Sequence, residues 1–332
     1  MKKLLIAIPS FNEYKYLKNS LKTLIPQILN LKNKVDLYLI DNNSTDETES
    51  AVSKLFNSHS NCFYVRNNEN IGLYPNQLKC LKVKGYEYQM VLGSDDILVP
   101  NAINTILKYI EKDNFSILYL NYYSFLSDYS VPHQFFSEEK DVIFNRPYDL
   151  LNHPSVGHFS GFIFKSILME KHLDFLLEKY DTPFFEKHRG IIAFLAAYIC
   201  SKESNQTLFI GSRLLATNSR KSVSYDSLQH LCVDYLEGHY LLYKDGLCNK
   251  NDFLYRKELV KKMLFRSSIR NLPFLDINTN KQILNSLSFY FTKDFYFILF
   301  IQPIFYIMRL NILKKSFQCL ISRYLKSQLQ ER

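Results

Sequence analysis

This sequence of 332 residues has no tryptophan and little of the residue types that mark fibrous or disordered chains. It contains only 9 glycines and 10 prolines, and 47% of its residues are hydrophobic. This composition excludes a collagen-like or low-complexity chain and indicates a globular protein. The length exceeds that of one small domain, so two packed parts with a sizeable core are expected.

The six cysteines are widely spaced, and no CxxC or CxxH pair occurs. This absence argues against a zinc site or a disulfide framework and favours a reducing cytoplasm. Two nucleotide-binding signatures are also missing. No GxGxxG segment follows the first strand, which disfavours a dehydrogenase, and no GxxxxGK[ST] loop occurs, which disfavours a P-loop NTPase.

No apolar run is long enough to cross a membrane. The first run follows Lys2 and Lys3 and stops at Pro9, so it is too short for a signal peptide and predicts a strand instead. A second run covers the fourteen residues 295–308. Spanning a bilayer takes roughly 20 apolar residues, so this run is also too short.

Positive charge is concentrated near the end of the chain. The net charge is +9, and residues 251–332 contain fourteen Lys and Arg against five Asp and Glu, so the first 250 residues sum to zero. A basic region on a neutral body indicates an anionic partner of that region. Together with the apolar run, it predicts an interfacial helix pair on anionic lipid. A core helix packed on the sheet and a dimer surface are the alternatives.

Short apolar runs alternate with helical spacings over the first 125 residues. The runs predict strands at 4–8, 35–40, 63–65, 89–92 and 116–122. Repeated βα units imply a mostly parallel sheet covered by helices. Ligands of such sheets bind outside the carboxyl ends of the strands.

The first two strand ends carry residues suited to a nucleobase. Pro9, Phe11 and Glu13 follow or end the first strand, where an aromatic ring can stack on a base. Asp41 follows the second strand, placed to accept a hydrogen bond from a base amide or amino group. Alone, Asp41 is as well explained by a helix N-terminus, and Phe11 by core packing.

The next two strand ends carry charged and small residues. Arg66 follows the third strand, with Asn70 and Gly72 beyond it. Asp95 and Asp96 follow the fourth strand. Two acids at a strand tip can hold a divalent cation beside a diphosphate, because hard cations prefer carboxylate and phosphate oxygens.

Four motifs occur in order at these strand ends: IPSFNE, LIDNNSTDET, NENIG and LGSDD. Over about residues 1–125 they resemble the sequential motifs of the family 2 glycosyltransferases. The GSDD form, the chain length and the helical tail are most similar to bacterial O-antigen sugar transferases of the abequosyltransferase-like group. The resemblance implies an α/β protein with the GT-A (Rossmann-like) fold, a mostly parallel sheet flanked by helices, and a helical C-terminal region.

The resemblance also implies roles for residues. It places Phe11 and Asp41 at the nucleobase, Asp95 at the ribose and the metal, and Asp96 as the direct ligand of Mg²⁺ or Mn²⁺. The first acid of the family's usual Asp-x-Asp is Ser94 here, so modest metal affinity is expected. The pocket wall would be shaped by Asn70 and Gly72.

Inverting transfer needs a general base for the acceptor hydroxyl. The resemblance places this base after the segment FSGFIFK (residues 159–165). Glu186 is the favoured candidate, followed by His188 and Asp181, although Glu186 is also explained as a capping acid and His188 as a residue at a helix start. Arg220 belongs to a basic loop that would close over the diphosphate, unless it is simply solvated.

Three parts are therefore predicted: a nucleotide-sugar-binding half (1–125), an acceptor and base region (126–225), and a basic helical region (226–332). The predicted protein is a metal-dependent glycosyltransferase of O-antigen or cell-surface polysaccharide biosynthesis. Its acceptor would be an undecaprenyl-diphosphate-linked oligosaccharide, and it would lie in the cytoplasm, peripheral to the inner membrane. No nucleic-acid partner is expected, and a homodimer is left open. The alternatives are a nucleotidyltransferase, an inactive transferase, or a non-catalytic membrane- or nucleic-acid-binding protein.

Overall fold

The chain folds into two compact units, Met1–Lys221 and Ser222–Arg332, each with its own apolar core. The structure is a computed structural model that describes residues 1–112, 115–135, 140–179, 190–219, 232–233, 235–271, 277–308 and 318.

The beginning of the first unit alternates strands and helices as the apolar runs predict. Its elements are β1 (Lys2–Ser10), α1 (Tyr14–Ile28), β2 (Val35–Asp41), α2 (Thr48–Phe56), β3 (Cys62–Arg66), α3 (Leu73–Leu81), β4 (Tyr86–Val91), β5 (Ile97–Leu98), α4 (Ala102–Lys112) and β6 (Ile117–Phe125). The five predicted strands correspond to β1, β2, β3, β4 and β6. The sequence does not predict β5, because two residues are too few to show a period.

The remainder of the first unit is less regular. Its elements are β7 (Gln134–Phe135), β8 (Val142–Phe144), α5 (Tyr148–Asn152), β9 (Phe162–Lys165), α6 (Ser166–Lys179), α7 (Ile191–Lys202) and β10 (Thr207–Asn218). A short 3₁₀ turn, Phe159–Gly161, leads directly into β9.

The described residues form one ten-stranded sheet, with the order β3-β2-β1-β4-β9-β6-β10-β5 and with β7 and β8 paired to β6 and β10. The strands β3, β2, β1 and β4 are parallel, as predicted for the first half. Beyond them the sheet is mixed, because β9 runs antiparallel to both β4 and β6. The carboxyl ends of β1 to β4 therefore share one edge with the segment that precedes β9.

Burial on both faces explains why these strands are continuously apolar. Leu4, Leu5, Ile6, Ala7 and Ile8 of β1 have no exposed surface. Strands covered by helices on both sides lose the polar alternation of half-exposed strands. The edge of the sheet is therefore the place where this half of the unit can present polar side chains to a ligand.

The second unit is helical, as predicted for the C-terminal region. It contains α8 (Tyr235–Lys244), α9 (Lys250–Asn271), α10 (Ile277–Phe291), a π-helical turn (Phe297–Ile301) and α11 (Gln302–Ile307). Within the described ranges, none of the helices is long and apolar enough to cross a membrane.

The apolar segment 295–307 has two different faces. One face packs into the core of the second unit through Phe297, Ile301 and Phe305. The other face is open: Phe295 is 75% exposed and Phe300 is 55% exposed. The segment is thus part of a core on one side and a surface on the other. Its core contacts lie within the second unit, so they do not test the predicted packing of a core helix on the sheet.

Asp294 fixes the start of this segment. Its Oδ1 accepts a hydrogen bond from the Phe297 amide at 3.0 Å, and its Oδ2 accepts one from Lys261 Nζ at 2.9 Å. Burial by itself would raise the pKa of Asp294, but these hydrogen bonds lower the pKa below the ordinary value of 3.8. The ionised carboxylate therefore stabilises the fold.

We predict that Asp294→Ala lowers the free energy of unfolding by about 1–2 kcal/mol at pH 7, since both hydrogen bonds are lost. A depressed pKa contributes stability above the unfolded-state pKa, and this contribution is lost as the pH falls through the folded-state pKa. The difference between wild type and variant should therefore shrink below about pH 4. Urea unfolding at several pH values measures it. The exposed neighbour Lys293 provides the control Lys293→Ala, and an equal loss in both variants would contradict the prediction.

Candidate active site

The ends of three parallel strands bring predicted residues side by side. In the strand register, Ser10 at the end of β1 lies opposite Asp41 at the end of β2. Asp41 in turn lies opposite Arg66 at the end of β3. The strand ends that the sequence singles out therefore form one continuous edge.

Asp41 is a fully buried carboxylate with donors on both oxygens. Its Oδ1 accepts hydrogen bonds from the amide of Ser44, at 3.1 Å, and from the Ser44 hydroxyl. Its Oδ2 accepts one from the Tyr64 hydroxyl at 2.7 Å and a longer one from Arg66 at 3.4 Å. These donors compensate for the burial of a charge. Because Asp41 has no exposed surface, direct contact with a nucleobase requires a rearrangement, and this role stays a prediction.

Arg66 is held by three partners at the same edge. Besides Asp41, its guanidinium donates to Glu49 at 2.7 Å and to Asn43 Oδ1 at 2.8 Å. Its side chain keeps 28% of its surface exposed. Arg66 is therefore a fixed cation that remains accessible to an anionic ligand.

The loop after β1 is tied to the loop after β2. The Asn12 amide donates to Ser44 Oγ at 2.9 Å, and Asn12 Oδ1 accepts from the Thr45 amide at 2.7 Å. The Tyr14 amide donates to Asp46 at 2.9 Å. These bonds hold the two loops together at the site.

The predicted residues of the first strand end occupy different environments. Pro9 is buried within β1, whereas Phe11 is 40% exposed just beyond the strand. Glu13 precedes α1 and accepts a hydrogen bond from the Ser94 hydroxyl. This bond joins the end of β1 to the end of β4. Ser94 is not an acid itself, but its hydroxyl links the Glu13 carboxylate to the Asp95–Asp96 turn.

Asparagines connect the end of β2 to the loop before α3. Asn42 donates to Asn70 at 2.7 Å and accepts from Asn67 at 2.9 Å, while Asn67 also donates to Asn76 at 2.9 Å. Asn70 accepts the Gly72 amide at 2.9 Å, and Gly72 has a φ of +88°, a conformation that favours glycine. Asn70 and Gly72 thus shape this loop, and the network around them is not evident from the sequence.

The acid pair lies in a tight turn after β4. The Asp96 amide donates to the Gly93 carbonyl at 3.1 Å. Asp96 is 2% exposed, whereas Asp95 is only partly buried. Ser160 Oγ donates to Asp96 Oδ2 at 2.6 Å and accepts the Gly93 amide at 2.9 Å. The turn is therefore fixed from the segment that precedes β9.

His158 lies beside this turn. Its Nε2 is 3.6 Å from Asp96 Oδ2, which is too long for a hydrogen bond. Burial lowers the pKa of His158 to about 4, against the opposing effect of the Asp95 charge, so the ring is neutral at pH 7. The ring centroid lies 5.6 Å from that of Tyr122. Burial and the charge of Asp96 raise the pKa of Tyr122 to about 12.

Sequence reasoning missed three of these contacts. The position of Tyr64 beside Arg66 could have been predicted from the sequence, because Tyr64 lies two residues before Arg66 and therefore on the same face of β3. His158 has no such signal, and Ser160 is marked only as a member of the segment FSGFIFK, which does not by itself connect it with Asp96. Four predicted residues lie outside the described residues: Asp181, Glu186, His188 and Arg220.

The first half of the chain matches a known protein family. Residues 5–169 match the family described as glycosyl transferase family 2. The chain belongs to this family. This is the family that the resemblance of the four motifs implies.

A curated relative of this chain is the "uncharacterized glycosyltransferase MG060" of Mycoplasma genitalium. It is 25% identical over 124 residues, which cover 36% of this chain and 41% of the relative. The match thus spans less than half of the relative's length.

Solved structures confirm the fold class. Staphylococcus aureus TarS 1-349 in complex with UDP-GlcNAc has a TM-score of 0.60 and 16% identity, covering 98% of this chain and 92% of that chain. The mannosyltransferase PcManGT of Pyrobaculum calidifontis, in complex with GDP-Man and Mn²⁺, has a TM-score of 0.56 and 13% identity, covering 95% and 86%. At these identities the likeness shows the fold, which is GT-A.

We predict that Gly93→Ala impairs this glycosyltransferase by displacing Asp96. A Cβ at position 93 would lie 2.7 Å from Asp96 Oδ2, so the carboxylate must move. A misplacement of this kind costs about 100-fold in turnover. The assay is the transfer rate with a nucleotide sugar that the wild type accepts.

Gly157→Ala is the matched control, because a Cβ there meets no atom within 4 Å. Its turnover should stay within about twofold of wild type, as surface substitutions usually change little. Full activity of Gly93→Ala would show that the position of the Asp96 carboxylate does not matter.

Proposed function

We propose that this glycosyltransferase binds a nucleotide-sugar donor at the edge formed by the ends of β1 to β4. The observation that carries the proposal is that Arg66, Glu13 and the Asp95–Asp96 turn all lie along this one edge, at the ends of β3, β1 and β4. A fixed guanidinium can bind the phosphate oxygens of a diphosphate, and a pair of carboxylates can bind its divalent counter-ion. In the solved relatives, TarS is bound to UDP-GlcNAc and PcManGT to GDP-Man.

A divalent cation, Mg²⁺ or Mn²⁺, fits this edge when it is shared with the donor. No group of three or more His, Cys, Asp and Glu suited to a metal occurs in the part of the chain that the structure describes. Hard cations often take only one or two protein carboxylates and complete their shell with phosphate oxygens. Asp96, with Asp95 on the ribose side, would supply these carboxylates. The bound cation would neutralise the charge that develops on the leaving diphosphate.

The nucleobase would be held by residues of the first three strand ends. Phe11 offers an exposed ring on which a base can stack. Asp41 supports this part of the site by fixing Tyr64 and Arg66. In this proposal Asp41 either acts indirectly through these two residues or turns outward to reach the base when a donor binds.

The acceptor part of the proposal comes from the motif resemblance. Glu186, before His188 and Asp181, would take the proton of the acceptor hydroxyl, and Arg220 would close over the diphosphate. The acceptor would be an undecaprenyl-diphosphate-linked oligosaccharide of O-antigen or another cell-surface polysaccharide. The three parts 1–125, 126–225 and 226–332 would then serve donor, acceptor and membrane.

We predict that one nucleotide sugar in a panel of UDP-, GDP- and dTDP-sugars stabilises the protein in the presence of Mn²⁺. Ligand at a hundredfold excess over its Kd adds about 2.7 kcal/mol of stability, which a thermal-shift assay detects. Asp96→Asn should abolish the metal-dependent part of this stabilisation, because the cation loses its buried ligand.

Asp149→Asn is the control, since this exposed acid pairs with Arg146 on the surface of the first unit. It should behave as wild type. The donor-site proposal is wrong if no nucleotide sugar stabilises the protein under any metal condition. The metal role is wrong if Asp96→Asn retains the full Mn²⁺ effect.

The second unit carries a surface suited to an anionic lipid bilayer. We name the exposed side of the segment 295–307 the aromatic patch; its most exposed members are Phe295, Leu299, Phe300 and Tyr306, all at least 50% exposed. Exposed aromatic and aliphatic side chains insert at the boundary between headgroups and acyl chains, and nearby basic residues hold anionic lipid. Residues 251–332 carry a net charge of +9 in sequence, which supplies this attraction.

We predict that the triple variant Phe295→Ser, Leu299→Ser, Phe300→Ser binds vesicles of anionic phosphatidylglycerol at least tenfold more weakly. Burial of each such side chain contributes about 1.5–3 kcal/mol when complete, so even partial insertion exceeds a tenfold effect. Co-sedimentation with vesicles measures the binding.

The control is Ile167→Ser, because Ile167 is 68% exposed but lies in the first unit. It should bind vesicles as wild type does. Binding to DNA with a steep dependence on salt, without binding to vesicles, would instead favour the nucleic-acid alternative. A concentration-dependent dimer that the triple variant disrupts would favour the homodimer.

A further inference from the structure

Ser160 lies on the far side of the acid turn from the strand ends discussed so far. It belongs to the 3₁₀ turn that precedes β9 and has no exposed surface. Because β9 is antiparallel to β4, the start of β9 and the end of β4 lie at the same edge of the sheet. Ser160 thus reaches the Asp95–Asp96 turn from a distant part of the sequence.

One hydroxyl connects both ends of that turn. Ser160 Oγ accepts the Gly93 amide at 2.9 Å and donates to Asp96 Oδ2 at 2.6 Å. A hydroxyl has one proton to donate, so the direction of both bonds is determined. The bond to the carboxylate is charge-assisted and therefore stronger than a bond between neutral groups.

The same turn leaves little freedom to the carboxylate. Asp96 is 2% exposed, and the position of Gly93 leaves no room for a Cβ near Asp96 Oδ2. Without the hydroxyl of Ser160, the Gly93 amide and Asp96 Oδ2 would both lose a buried partner. A buried amide or carboxylate that loses one of its partners moves toward other partners or toward water.

We infer that Ser160 is a positioning residue that sets the orientation of the Asp96 carboxylate for the cation and diphosphate of the donor. This inference rests on the proposed function, in which Asp96 is the cation ligand. Ser160 itself does not touch the cation. Residues that orient a metal ligand typically contribute 10- to 100-fold to metal affinity.

A second buried serine, at the opposite end of β9, provides a matched control. Ser166 is the first residue of α6 and is 2% exposed. Its hydroxyl has no hydrogen-bond partner within the described ranges. Ser166→Ala therefore removes a buried hydroxyl beside the same strand without removing a bond to the turn.

The test uses the full chain as wild type, Ser160→Ala, Ser160→Cys, Ser166→Ala and Asp96→Asn. Mn²⁺ affinity is measured by electron paramagnetic resonance of free Mn²⁺, with Mn²⁺ alone and with saturating UDP or GDP. Hydrogen exchange of the peptide 92–96 reports whether the Gly93 amide has lost its acceptor, independently of activity.

We expect Ser160→Ala to weaken Mn²⁺ binding by about tenfold or more and to speed exchange at Gly93. Ser160→Cys has a weak donor of similar size, so its Mn²⁺ affinity and its exchange rate should lie between those of wild type and Ser160→Ala. If the alanine variant does not fold, the cysteine variant is compared with wild type instead. Ser166→Ala should match wild type in both measurements.

The inference is overturned if Ser160→Ala exchanges faster at Gly93 but keeps the Mn²⁺ affinity of wild type. The proposed function survives this result provided that Asp96→Asn binds Mn²⁺ weakly. If Asp96→Asn binds Mn²⁺ as wild type does, or if wild type binds none, the proposed metal role fails, and the inference fails with it.

Discussion

Between β4 and β6, which run in the same direction, the sheet carries one strand that runs the opposite way, β9. This antiparallel strand determines what lies next to the acid turn. A parallel strand at this place would present its carboxyl end to the turn, whereas β9 presents the residues before its first residue. Ser160 and His158 therefore lie beside Asp96, although more than sixty residues separate them in the chain.

The remaining polar contacts at this edge are explained by the cost of burying charge and amide groups. Asp41 has no exposed surface and therefore needs the donors of Ser44, Tyr64 and Arg66. Partners that satisfy a buried group also restrict each other's movement. The strand ends are consequently held by several hydrogen bonds, which suits the proposed role of this edge in orienting a diphosphate.

The parts of this arrangement that the sequence predicts are local ones. The strands β1 to β4 and the order of the residues at their ends follow from short apolar runs and the motifs between them. Arg66 and Asp41 meet as expected because neighbouring parallel strands end at one edge. Ser160 could not be predicted, since its position depends on the direction of β9, and a four-residue strand shows neither its direction nor its partners.

In the second unit, the segment 295–307 also shows how far the sequence alone predicts the structure. Its composition predicts an apolar segment too short to span a bilayer, but a run that is apolar on every side does not show which residues face inward. In the structure, Phe297 and Ile301 fill the core and Phe295 is exposed. The core contacts fix the orientation of the segment, and that orientation determines which side chains form the aromatic patch. Substitutions in the patch therefore leave the core contacts in place, whereas substitution of Phe297 would change both.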